Sequence, residues 1–153
     1  MRRLLTLTIM LLSTGLYAQN GLEGLWEGVI TEGDLQSRSG YRFELYLKVE
    51  EGVIKGVSTI FVSQDSIIKQ ELRGRMYQDR SVGLHEVDSG QYRQEAEQTG
   101  LPVHTFFRKY QFEFKRSIWD STIEGYWQEV YPAPLDLKRR RGRIFLKRKE
   151  SGA

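Results

Sequence analysis

The chain has 153 residues, of which 39% are hydrophobic and none is cysteine. That excludes disulfides, thiolate zinc sites and cysteine nucleophiles, so the fold must stand on its core alone. Of 23 basic residues, Arg2 and Arg3 lie in the first segment, and eight fall between Lys138 and Lys149, where there is no acid. The remaining 13 face all 20 acids, so the net charge of +3 hides a polarised molecule rather than a uniformly basic one.

Residues 1–18 read as a secretory signal peptide. Arg2 and Arg3 form a basic start, Leu4 to Leu12 is mostly apolar, and Leu16-Tyr17-Ala18 ends on a small residue. The apolar run is too short to span a bilayer comfortably, so cleavage after Ala18 is expected and no transmembrane segment in the mature chain. Residues 19–153 form one domain of ordinary size, placed by this reading in the periplasm or outside the cell.

Leu22 to Ile30 is the first expected strand. Leu22, Gly24, Trp26, Gly28 and Ile30 share one face, with one large ring between two glycines. Glycines inside a strand mark bends or close approaches, as a closed barrel needs. Tyr41 to Glu50 alternates most cleanly: Tyr41, Phe43, Leu45, Leu47 and Val49 against Arg42, Glu44, Lys48 and Glu50. Glu51-Gly52 is a tight hairpin turn. The third strand, 53–63, leaves its inward face open, because apolar residues fall on both sides.

The fourth strand, 67–77, has Ile68, Leu72, Gly74 and Met76 inward. The fifth, 81–88, has Val82, Leu84 and Glu86 on one face. Residues 89–104 are polar, carry Gly90, Gly100 and Pro102, and form the longest connection, a lid, a recognition loop or a solvated loop. The sixth strand, 105–115, aligns Phe106, Arg108, Tyr110, Phe112 and Phe114. The seventh, 121–130, aligns Ile123, Gly125 and Trp127. After a Pro-containing loop, the eighth, 142–149, puts Ile144 and Leu146 inside. Eight strands joined mostly by short turns predict an all-β fold: an eight-stranded antiparallel up-and-down barrel, with a β-sandwich as the alternative.

With this pattern in place, Gly24-Leu25-Trp26 resembles the Gly-x-Trp that opens the lipocalin barrel, within the calycin group of lipocalins, fatty-acid-binding proteins and avidin-like proteins. The resemblance implies an Arg from the last strand packed on the Trp. Arg148 shares the face of Ile144 and Leu146 and is the expected partner of Trp26 at the barrel floor, worth about 1–2 kcal/mol if desolvated. Arg108-Lys109-Tyr110 is similar to the Arg-x-Tyr pair of fatty-acid-binding proteins, which lies there on the final strand.

An inward Arg108 needs an anion. Three solutions are open: a ligand carboxylate, Glu86 on the neighbouring strand, or a rim position reaching water. Arg108, Tyr110 and Glu86 are therefore the candidate ligand-binding polar groups, and Phe112, Trp119 and Trp127 the candidate cavity lining. An eight-stranded barrel either fills with side chains or holds one small ligand.

His85 and Glu86 are adjacent in a strand and face opposite sides, and His104 is the only other histidine. No metal site, cofactor or nucleophile elbow is expected, and the chain does not read as an enzyme. Lys138, Arg139, Arg140, Arg141 and Arg143 form a candidate basic patch. Two functions follow. One is an exported binding protein for a small, largely apolar ligand, with or without a carboxylate. The other is an envelope interaction module with a filled core, docking its basic edge on an anionic surface or a protein. Nucleic acid is not an expected partner, and a monomer or weak oligomer is the expected state.

Overall fold

A computed structural model of the chain describes residues 21–33, 36–87, 98, 107–130 and 139–149. The expected signal peptide, most of the 89–104 connection, His104 and Lys138 lie outside the described residues.

Eight strands form: β1 Gly24–Ile30, β2 Tyr41–Glu50, β3 Val53–Phe61, β4 Ile67–Met76, β5 Ser81–Val87, β6 Phe107–Lys115, β7 Thr122–Val130 and β8 Arg141–Arg148. Each pairs antiparallel with the next, and β1 also pairs with β8, so the sheet closes into an up-and-down barrel. The β-sandwich alternative is thereby set aside. The hairpin between β2 and β3 turns on Glu51 and Gly52, both at positive φ (51° and 79°), the backbone that a two-residue hairpin with right-handed strand twist requires.

Alternation places the core. Trp26, Phe43, Leu45, Leu47, Leu72, Val82, Leu84, Phe112, Ile123, Ile144 and Leu146 are buried in one interior cluster. The inward face of β3, which apolar content alone leaves open, is the even one: Ile54, Ser58 and Ile60 are buried, while Lys55 is exposed and Val57 half-buried. Phe61 instead lies outside under Arg42, whose guanidinium carbon is 4.6 Å from its ring centre.

The two ends of the barrel differ. At one end the strands are joined through residues 51–52, 77–80 and 116–121; at the other through 31–40, 62–66, 88–106 and 131–140. Trp26 and Arg148 belong to the short-turn end. Glu86, Arg108 and Glu129 belong to the end with the long connections.

Candidate functional site

At the short-turn end, the Trp26 indole N–H donates to the Leu22 carbonyl at 2.9 Å, and Phe114 meets the ring edge-on with centroids 5.7 Å apart. Trp26 and Arg148 are register partners, and the Arg148 guanidinium carbon sits 4.6 Å from the ring centre. The same guanidinium donates to the carbonyls of Glu23, at 2.6 Å, and Gly21. Gly24 has φ of +122°, and a Cβ there would stand 2.8 Å from Arg148 Nη1. The glycine two residues before the Trp therefore serves backbone conformation and guanidinium access together.

The long-connection end holds the polar interior. The β5–β6 ladder runs from Ser81–Glu113 to His85–Lys109, and one step further Glu86 and Arg108 face each other. Here the side chain takes over from the ladder: the Arg108 backbone N–H donates to Glu86 Oε2 at 2.8 Å. The Tyr110 hydroxyl donates to Glu86 Oε1 at 2.7 Å, and Arg108 Nη1 lies 3.5 Å from the same oxygen. The Glu86 side chain is fully buried and that of Arg108 nearly so. Of the three solutions for Arg108, the structure contains the internal one, with Glu86 as its counter-ion. Aromatic rings frame the pair. The Arg108 guanidinium carbon is 5.0 Å from the centre of the Trp127 ring, and Phe43 stacks on Tyr110 at 6.0 Å and 10°. Ser58, buried on the inward face of β3, donates its hydroxyl to the Gln70 carbonyl at 3.5 Å.

Burial pushes the Glu86 carboxyl above the usual carboxylate range, against the opposing pull of Arg108 and of the Tyr110 hydrogen bond. Burial, with the Glu86 carboxylate beside it, pushes the Tyr110 phenol well above its ordinary value. The phenol is therefore a donor at any working pH, and its proton is committed to Glu86.

A second carboxylate at this end escaped sequence reasoning. Glu129 has the parity of Ile123, Gly125 and Trp127, faces inward, and is fully buried. Its Oε1 accepts from Arg140 Nε at 2.7 Å and lies 2.6 Å from Nη2; Arg140 also reaches Glu32 at 3.4 Å. Continuing the inward parity of β7 by two residues beyond Trp127 was the signal that pointed to it. Beside it, Trp127 Nε1 donates to the Thr31 carbonyl at 2.7 Å, fastening β7 to the end of β1.

Phe112 and Trp127 are buried inside as expected. Trp119 is not: it is 86% exposed in the β6–β7 connection, beside Ile118 at 93%. Strand parity stops applying where the strand ends, and Ser117 turns the chain by accepting the Trp119 N–H. Trp119 therefore does not line the interior. The basic run divides as well. Arg139 and Arg141 are exposed, Arg140 turns to the barrel mouth, and Arg143 stacks against Phe145 at 4.5 Å and Tyr126 at 5.4 Å.

His85 is exposed on the outer face, on the other side of the sheet from Glu86. Among the described residues no group of three His, Cys, Asp or Glu side chains is placed to hold a metal ion, and no helix is long and apolar enough to cross a membrane. No protein-family model matches the chain, and no curated protein matches it either.

Proposed function

We propose that this barrel is an exported, calycin-like binding protein that takes a small, largely apolar ligand through the end with the long connections. The observation that carries this reading is the Glu86–Arg108–Tyr110 cluster, held on inward faces at that end and walled by Trp127 and Phe43. A few convergent polar groups set in an aromatic wall are what a small-molecule site needs for orientation. A buried ion pair adds little to stability on its own account, so a role in recognition is a reason to keep one there.

Glu86 already neutralises Arg108, so the ligand head is read as a group that hydrogen-bonds to this cluster. A carboxylate head must compete with Glu86 for the guanidinium. Calycin membership rests on the closed eight-stranded barrel together with the Gly24–Trp26–Arg148 floor.

The test is native mass spectrometry of mature protein purified from its own cell envelope, followed by extraction of whatever co-purifies. A stoichiometric small molecule that, added back to the Trp119→Ser variant, also changes its buried-tryptophan fluorescence supports a carrier. Protein of apo mass, with the emission of the Trp119→Ser variant unmoved by a panel of medium-chain acids, alcohols and sterols, refutes it.

A further inference from the structure

The strand register sets five outward cations, with His85 and Gln128 between them, in one row. Lys48 faces Lys55, Lys55 faces Arg73, and Arg73 faces His85. His85 faces Lys109, Lys109 faces Gln128, and Gln128 faces Arg141. All seven are exposed, and the row crosses every strand from β2 to β8. The parallel row two residues along adds Arg75 on β4 and Arg143 on β8. The single acid in the two rows is Glu50, 2.7 Å from Lys48 and 2.5 Å from Lys55. From β4 to β8 neither row contains an acid.

Like charges set directly opposite on neighbouring strands destabilise a sheet. Elsewhere on the outer wall Glu27 faces Glu44 and Glu113 faces Glu124, but cations lie against them, Lys149 at 3.3 Å from Glu27 and 3.6 Å from Glu44, and Lys115 at 3.5 Å from Glu124. Within the belt Lys48 faces Lys55 and Lys55 faces Arg73, and from β4 to β8 no acid of either row offsets the positive charge. Strands lie about 4.8 Å apart, so the row extends roughly 29 Å around the wall. A flat membrane touches a convex wall along one line and leaves most of such a belt facing away. A flexible linear polyanion follows the curve.

Two tyrosines beside the belt are faced by arginines, Tyr126 by Arg143 at 5.4 Å and Tyr77 by Arg75 at 5.0 Å. Tyr46, 49% exposed, lies on the same face two residues from Lys48, and the rest of the belt presents guanidinium and ammonium donors. Guanidinium forks suit carboxylate and sulfate groups.

We propose that the outer wall binds a linear acidic polysaccharide along this belt. The proposal is independent of what the interior holds, and it reaches well beyond the 138–143 run.

The probe is polygalacturonate, with affinity measured at low and moderate salt. Wild-type protein binds, and binding weakens steeply as salt rises. The exposed triple variant Lys55→Glu/Arg73→Glu/Lys109→Glu loses affinity by about tenfold or more, while Lys69→Glu, an exposed cation outside the belt, changes it by less than about twofold. If circular dichroism shows the triple variant misfolded, two single changes decide. Gln128→Glu puts one acid mid-belt and weakens binding, and Glu50→Gln removes the single acid and tightens it. Absence of binding at low salt, unchanged affinity in the belt variants, or tighter binding to single-stranded DNA or to phosphatidylglycerol vesicles each overturns the proposal.

Discussion

Arg148 covers Trp26 and at the same time holds the chain that precedes β1. Its guanidinium carbon lies 4.6 Å from the ring centre, and its donors go to the carbonyls of Gly21 and Glu23. Arg148→Ala removes a partly desolvated cation–π contact and two charge-assisted hydrogen bonds, and is expected to cost about 2–4 kcal/mol in urea unfolding. Arg148→Lys should recover less than half of that, because one ammonium cannot keep a planar stack and reach both carbonyls. Equal stability of the Lys variant and wild type would rule out the fork geometry as the source of the effect.

Glu86 and Arg108 make a pair whose halves are worth more than the whole. Glu86→Ala leaves Arg108 without its counter-ion in the interior and should cost about 3–5 kcal/mol. The double replacement Glu86→Leu/Arg108→Met removes both charges and should recover most of that loss. Denaturant unfolding of the four species gives the coupling directly. Additive losses in the double variant would mean that the two groups act separately.

Glu50 carries the acid side of the stability profile on the outer wall. Hydrogen bonds and attraction from Lys48 and Lys55 lower its pKa from 4.5 to about 2. A depressed carboxylate contributes stability that is complete above its unfolded value and is lost as pH falls through its folded value. The stability gap between wild type and Glu50→Gln should therefore be constant above the ordinary carboxylate range and close as pH falls towards about 2. A gap that widens on acidification would reverse the assigned sign.

Trp119 should dominate the solvent-exposed fluorescence, since it is 86% exposed while Trp26 and Trp127 are buried. Trp119→Ser is expected to shift the emission maximum to shorter wavelength, to cut acrylamide quenching sharply, and to leave stability within about 0.5 kcal/mol. An unshifted spectrum would mean that Trp119 is covered in solution.

Much of the barrel was readable from alternation alone. The expected strand over 41–50 coincides with β2, and the others agree within a few residues, because a half-buried sheet imposes a period of two on the residues themselves. Arg148 shares the parity of Ile144 and Leu146, which is enough to bring it over Trp26. What failed lay where that period ends or is blurred. Trp119 sits past the end of β6, where its direction follows the turn. β3 carries apolar residues on both faces, and Phe61 is sheltered by Arg42 rather than by the core. Glu129 was passed over because a carboxylate is not expected on a buried face; Arg140, brought in from the far side of the 131–140 connection, makes it tolerable.

The seam between β1 and β8 also bears on time. Trp26 meets Arg148 and Ile30 meets Ile144, so the last ladder to close joins segments more than a hundred residues apart in the chain. Loop-closure entropy must be met before such pairing returns anything, so this ladder carries a larger entropic cost than the seven between consecutive strands. Until β8 has arrived, β1 and β7 each present an open edge, and the incomplete sheet is open to pairing with neighbouring chains. The half-formed barrel, more than the finished one, is the species that a chaperone would have to guard.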